Sequence, residues 1–220
     1  MKTINLSLQS TLVNQFVAEL RHVDVQTDRM RFRQNLRRLG QCMAYEIART
    51  FDYSEKSVTT PLGVAQALTP DNDVVVGTVF RAGLPMHEGM LDMLDGAGNA
   101  FVSAYRYYKD EKCSEVEVCI EYLASPCLDG RTLIIADPML ATGESMELAL
   151  KAFCTKGTPS TVHLACIIAS EQGVAHLQKV FAQRDDITLW CAVVDPLLNE
   201  HKYIVPGLGD AGDLAYGGKD

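Results

Sequence analysis

No stretch of this 220-residue chain stays apolar for long. The longest runs, VVVGTVF at 74–80 and LACIIA at 164–169, fall far short of the roughly 20 residues a membrane span requires. The opening MKTINLSLQS lacks a basic segment followed by an apolar run, so no secretory signal is expected and the expected location is cytoplasmic. Positive charge is scarce: 20 Lys and Arg against 28 Asp and Glu leave a formal net charge of −8. A nucleic-acid partner is therefore not expected, because neutralising phosphates takes clustered cations. The one basic cluster, Arg29, Arg31, Arg33, Arg37 and Arg38, would spread around a helix, which favours a solvated or subunit-contact face over a ligand site. The seven cysteines include no C-x-x-C pair and match no zinc spacing. Several lie in apolar, strand-like runs and read as reduced, buried thiols.

What is present is a core. A hydrophobic fraction of 47% over this length suffices for one domain, 1–220. Leu12, Val13, Phe16, Val17 and Leu20 recur at helical spacing after a Ser10 cap, and Phe32, Leu36, Leu39, Met43 and Ile47 mark a second helix from about Met30 to Thr50. This N-terminal helical segment, about 10–50, is expected to precede any sheet. A short connecting segment with Pro61 and Gly63 follows. Apolar β-rich runs then dominate at 74–80, 100–108, 131–136, 161–169 and 187–194, the last three separated by helices over Glu144–Lys156 and Gln172–Gln183. That alternation predicts an α/β class, a mostly parallel sheet with helices on both faces. EVEVCIEYL at 115–123 alternates apolar with polar residues, the period of a half-exposed antiparallel strand. Paired with 105–109 it would make a projecting β-hairpin arm, about 104–124.

Two segments carry chemistry. PGLGDAG at 206–212 contains G-x-G-x-x-G, but a dinucleotide fingerprint needs a following helix and strand, and eight residues after Gly212 leave no room for them. LIIADPMLATGES at 133–145 reads as a strand, an acid at its carboxyl end, a Thr-Gly loop and a helix. In open parallel sheets ligands bind at such a place, and backbone N–H groups with the helix dipole can hold a phosphate without a basic side chain. An ordinary βα turn capped by Thr or Ser would read the same way. No Gly-Lys-Ser/Thr follows, so it is not a Walker loop.

DPMLATGES resembles the phosphoribosyl-pyrophosphate (PRPP) loop of the phosphoribosyltransferases, and Asp137-Pro138 at its start resembles the uracil phosphoribosyltransferase branch. FRAGLPM (80–86), AYR (104–106), NEHKYIVPGLGDAGD (199–213), QTDRMRFR (26–33) and MAYE (43–46) resemble that branch in the same order, over roughly 20–218. The resemblance implies a type I phosphoribosyltransferase-like fold. It also implies transfer of 5-phosphoribosyl from PRPP to uracil, giving UMP and pyrophosphate in pyrimidine salvage. Arg81 and Arg106 would contact pyrophosphate, and Asp137 the ribose hydroxyls. Pro138, Met139, Leu140, Ala141, Thr142, Gly143, Glu144 and Ser145 would complete the PRPP loop. Ile204, Gly209, Asp210 and Ala211 would bind uracil, Asp210 also facing PRPP, with Tyr203 against the ribose. Asp137, Asp210 and Arg81 would be catalytic. Mg2+ would arrive with PRPP rather than on direct protein ligands. A homodimer or higher homo-oligomer and a nucleotide effector such as GTP are further implications. His87 and His201 adjoin the motifs without an assigned role.

The likeness departs at Pro85, where the family has a second Gly, at Glu144, where uracil enzymes usually carry Gly, and across 107–118. Glu144 is expected to project outward, because a carboxylate inside a phosphate loop would repel the ligand. Two other readings are a phosphoribosyltransferase for another base and a catalytically weak PRPP- or nucleotide-sensing regulator. Retention of Arg81 and Asp210 favours the enzyme.

Overall fold

The computed structural model describes residues 1–108 and 116–218, with side chains for all of these except 104–108 and 116–120. The chain opens with a strand, β1 (Lys2–Asn5), and then runs through α1 (Leu12–Arg21), α2 (Val23–Gln26) and α3 (Arg29–Ala48). The expectation that helices precede any sheet is therefore corrected: β1 lies parallel to a strand nearly 190 positions later, Lys2 opposite Thr188. Four residues with no apolar alternation carry no strand signal of their own. The cap of α1 is Thr11, whose hydroxyl accepts from the Val13 N–H, rather than Ser10. Asp28 caps α3 by accepting from the Met30 and Arg31 amides.

The connecting segment around Pro61 is in fact a hairpin, β2 (Tyr53–Thr60) and β3 (Gly63–Pro70), paired from Tyr53 opposite Pro70 to Thr60 opposite Gly63. The Thr60 hydroxyl accepts from the Leu62 and Gly63 amides and so closes the turn. Nearly every residue of this hairpin faces solvent. YSEKSVTT alternates too little to announce a strand, and a Pro beside a Gly reads locally as a break.

The sheet continues with β4 (Val74–Phe80), then α4 (Leu84–Leu91), which has Pro85 in its first turn, where a missing N–H costs nothing. Next come β5 (Gly98–Tyr108), β6 (Val116–Ala124), β7 (Thr132–Ala136), β8 (Met139–Leu140), α5 (Glu144–Phe153), β9 (Thr161–Ser170), α6 (Glu171–Val180) and β10 (Ile187–Asp195). The strand order is β1-β10-β9-β7-β4-β5-β6, with β8 also on β9. Every neighbour is parallel except β5 with β6, which pair antiparallel from Phe101 opposite Ala124 to Tyr108 opposite Val116. Pairing of β5 with β4 ends at Ser103, so 104–108 continues with β6 alone. The chain ends in β11 (Leu197–Leu198), β12 (Ile204–Val205) and α7 (Ala211–Tyr216).

Successive strand residues point to opposite faces, and each face has its own core. Val74, Val76, Ile134, Ala165, Ile167 and Trp190 pack under α1, α3, α4 and α7. Val75, Leu133, Ile135, Leu164, Cys166 and Leu189 pack under α5 and α6. Burial on both faces explains why these strands read as continuous apolar runs. On the first face α3 and α4 touch backbone to backbone: a Cβ on Gly40 would lie 2.1 Å from the Met86 carbonyl oxygen, and one on Gly89 1.9 Å from that of Arg37.

One polar contact inside this core has a pH signature. His163 is 3% exposed, and its Nδ1 accepts from Trp190 Nε1 at 3.1 Å. Burial pushes its imidazole down from 6.5 to about 4. The unfolded chain binds that proton more readily, so the contribution is complete above about 6.5 and is lost as the pH falls toward 4. A shift of this size corresponds to roughly 3 kcal/mol. His87, also pushed down by burial against an opposing bond to Asn99, acts in the same direction. Urea unfolding between pH 7.5 and 4 should show His163→Asn, which keeps an acceptor for Trp190, losing less stability than the wild type. Equal slopes would assign the acid sensitivity to other groups.

Candidate active site

Strands β4 and β7 are neighbours at the middle of the sheet, and from them the strand order runs outward in opposite directions. Loops leaving their carboxyl ends diverge and open a crevice, the position at which open α/β sheets bind ligands. A cleft of about 470 Å³ lies there.

Its floor is the loop after β7. The Pro138 carbonyl accepts from the Ile167 and Ile168 amides, and β8 pairs Met139 with Ile168 and Leu140 with Ala169, so β9 holds this loop in place. The Ser170 hydroxyl donates to the Ala141 carbonyl and accepts from the Gly173 N–H. Gly143 caps α5 at φ 88°, and a Cβ there would sit 3.0 Å from the Gly173 carbonyl oxygen. The Thr142 hydroxyl oxygen is buried without a hydrogen-bond partner. The first-turn amides of α5 have no carbonyl within the helix to donate to. An orphan hydroxyl and free amides on one loop form a site for an anion.

The acids of that turn are directed away. Glu144 is exposed and contributes nothing to the cleft lining, in line with the outward projection expected of it. Burial pushes the Glu147 carboxyl up, but bonds from Lys151 and from His176 Nε2, the latter at 2.7 Å, leave it below its ordinary range.

The wall is Arg81, following β4. Its Nη2 donates to Asp213 Oδ1 at 2.9 Å and its Nη1 to the Gly217 carbonyl at 3.3 Å, both on or just after α7. The roof is the turn of β11 and β12 with the glycine-rich loop behind it. The Asn199 side chain accepts from the His201 and Tyr203 amides, and Lys202 sits at φ 63°. Gly207 adopts φ 55°, where a Cβ would lie 2.1 Å from the Ile204 carbonyl oxygen. Gly207 and Gly209, the latter at φ 95°, thus serve a tight reversal of backbone over the cleft, while Gly212 lies within α7. Asp210 caps α7 by accepting from the Asp213 N–H at 3.0 Å while lining the cleft.

Arg81, Asp137, Met139 to Gly143, Ser145, Tyr203, Ile204, Gly209, Asp210 and Ala211, proposed from sequence, all line this cleft. Pro138 does not: it is buried, with its carbonyl bonded to β9. Glu144 points out to solvent. Arg106 lies on β5 with its side chain outside the described residues, as does the 109–115 portion of the expected hairpin arm. The sequence reading missed Phe80, Met146 and Lys202, which also line the cleft. Phe80, stacked on Phe101 with centroids 5.5 Å apart, could have been found from its place beside Arg81. Lys202 had no local signal, since its left-handed backbone usually selects Gly or Asn.

A groove of similar size, about 460 Å³, runs between the N-terminal segment and α3, lined by Leu6, Leu12, Val13, Tyr45 and Met93 among others. Its surface is mainly apolar and carries no loop at the carboxyl ends of the parallel strands, where open α/β sheets bind ligands, which singles out the cleft at the strand ends.

Residues 7–218 match the family model described as Uracil phosphoribosyltransferase. A protein of Porphyromonas gingivalis named Uracil phosphoribosyltransferase is 52% identical over 219 residues, covering 100% of both chains. One of the same name from Pyrococcus furiosus is 34% identical over 211 residues, covering 94% of this chain and 87% of its own. The solved structure of a protein from Aquifex aeolicus superposes with a TM-score of 0.85 at 30% identity, covering 98% of each chain. With a matching family model over nearly its whole length, and relatives this similar, the chain belongs to the uracil phosphoribosyltransferase family.

Proposed function

We propose that the cleft between β4 and β7 transfers the 5-phosphoribosyl group of PRPP to N1 of uracil, releasing pyrophosphate and forming UMP. The observation that carries this reading is the convergence of an anion-binding loop, an arginine and a glycine-rich roof on one cleft in a chain of this family. The 5-phosphate would rest on the amides of the first turn of α5, with the partnerless Thr142 hydroxyl and Ser145 beside them. Asp137 would take the ribose hydroxyls, and Arg81 and Arg106 the pyrophosphate, for which planar guanidinium donors suit. Uracil would lie under Ile204, Gly209 and Ala211, read by main-chain groups, with Tyr203 against the ribose.

Uracil is a weak nucleophile, and C1 of the ribose must gain positive character as pyrophosphate departs. Positioning and charge stabilisation are then the protein's tasks, with no covalent enzyme intermediate. Asp137 and Asp210, both lining the cleft, would complement that charge. Mg2+, bound through PRPP, would neutralise the departing pyrophosphate. Closure of the roof would exclude water that could capture the ribosyl cation.

A homo-oligomer is part of the proposal. A lone two-stranded hairpin is marginal in water, yet β2, β3 and their turn expose Val58, Leu62, Val64 and Leu68 to solvent. A second copy of the chain would cover them. The five cysteines described as free suit a reducing, cytoplasmic compartment. Regulation by a nucleotide such as GTP is proposed on family likeness alone.

Pyrophosphate release with a panel of bases tests the assignment: uracil should support turnover and cytosine very little. Reversing one donor–acceptor edge against fixed main-chain groups leaves buried polar atoms unpaired at about 1–3 kcal/mol each. Equal rates with the two bases would reject the roof as a uracil reader. Asp210→Asn should fold normally, because Asn caps helices as well as Asp does. Its kcat should nevertheless fall about a hundred- to thousandfold through loss of a preorganised charge; near-normal kcat would reduce Asp210 to a helix cap. Glu144→Gly should change the apparent PRPP affinity by less than about tenfold, or 1.4 kcal/mol, since the carboxylate already faces water. A wild type without turnover that this substitution rescues would point to a sensor instead of an enzyme.

A further inference from the structure

Asp195 is a buried carboxylate that the chemistry above leaves without a task. It ends β10, is 4% exposed, and joins the end of α1, 174 positions earlier, to the roof loop 12 positions later. Its Oδ1 accepts from Arg21 Nη2 at 2.7 Å, and its Oδ2 accepts from the Gly207 backbone N–H at 2.9 Å. Arg21 is the last residue of α1. Gly207 lies in the roof loop between Ile204 and Gly209.

A buried carboxylate is tolerated only where a countercharge and hydrogen bonds replace its water. Arg21 supplies the charge from one side, and the remaining oxygen is directed at a single roof amide. A bond to an ionised acceptor is shorter and stronger than one between neutral groups. It holds the loop at the residue where the backbone reverses and no side chain fits. A roof that reads a flat base with main-chain groups cannot adapt by changing rotamers, so recognition depends on where its backbone sits.

We propose that Asp195 and Arg21 are positioning residues for uracil: Arg21 orients Asp195, Asp195 fixes the Gly207 amide, and that anchor places the base-reading groups of Ile204 and Gly209. Neither side chain touches substrate. The proposal rests on the reading of 204–211 as the uracil-binding roof.

The test is steady-state kinetics in each substrate, run beside thermal melts, on Asp195→Asn, Arg21→Met and Arg21→Lys. Misplacement of reacting groups by about 1 Å can cost a hundredfold, so Asp195→Asn should raise the KM for uracil at least tenfold while the KM for PRPP stays within about twofold. Arg21→Met should show a smaller rise of the same kind, and Arg21→Lys should restore much of it. A folded Asp195→Asn with unchanged uracil KM overturns the proposal. Equal rises in both KM values, or a lower melting temperature with no change in their ratio, overturn it too by making the pair merely structural. If Asp195→Asn does not fold, the Arg21 variants decide, and a uracil KM indistinguishable among Arg21→Met, Arg21→Lys and wild type is the negative result. Hydrogen exchange separates this failure from failure of the roof reading. Uracil with PRPP should slow exchange across 204–211 in the wild type. Without that slowing the roof reading falls; slowing combined with unaltered kinetics in the variants rejects only the tether.

Discussion

The parallel pairing of β4 with β7, from Val74 opposite Thr132 to Thr78 opposite Ala136, sets where everything else in the molecule can go. Parallel strands release their chains at the same edge, so the loop bearing Arg81 and the loop bearing Asp137 to Ser145 emerge side by side. The Thr78 hydroxyl donates to the Ala136 carbonyl across the pair, locking the two strand ends together. With apolar cores on both faces, this pair cannot slide without exposing Val75 or Ile134, and a one-residue slip would turn every side chain to the wrong core. The separation of the two loops is thereby built into the most buried part of the protein.

The loop after β7 is bonded to β9 through Pro138 and backed by Ser170 and Gly173, which braces its amides. The roof is held by the two-residue strands β11 and β12, the Asn199 turn and the bond to Asp195, with Ile204 and Leu208 packed into the first core. The contact between Arg81 and Asp213 crosses the cleft mouth, but both side chains are more than a third exposed, and such pairs are worth about 0–1 kcal/mol. A floor braced by β9 beneath a roof built from a short hairpin and a loop suits a reaction that must admit two substrates, exclude water and then release two products.

Charge follows the same division. A chain of net charge −8 does not attract a polyphosphate through its overall field, and surface charges beyond about 8 Å are screened in any case at physiological salt. On the proposed reading local devices do the work: helix amides, an orphan hydroxyl and a guanidinium. The acids near the loop are managed individually, Glu144 by facing solvent and Glu147 by bonds to Lys151 and His176. The β2–β3 hairpin stands apart from this scheme, its leucines and valines exposed among the described residues.

Most strands of the sheet, the two principal N-terminal helices, α5 and α6 were legible in the amino-acid order, because periodicity is local and needs no partner to be recognised; most members of the cleft were legible through contiguous motifs that resemble those of a family, Phe80, Met146 and Lys202 excepted. Ala141 to Ser145 carry their chemistry within five neighbouring residues, and the glycines at 207 and 209 declare a tight reversal wherever the chain places them. What escaped depends on partners. Lys2–Asn5 is a strand only because β10 offers an edge. Tyr53–Thr60 pairs only with the segment beyond its turn, and Lys202 reaches the cleft only because the roof folds back. The link between Arg21, Asp195 and Gly207 could not be read at all from the order of residues. A buried charge finds its partner by proximity in space, and tertiary packing alone brought the end of α1, the end of β10 and the roof to one point.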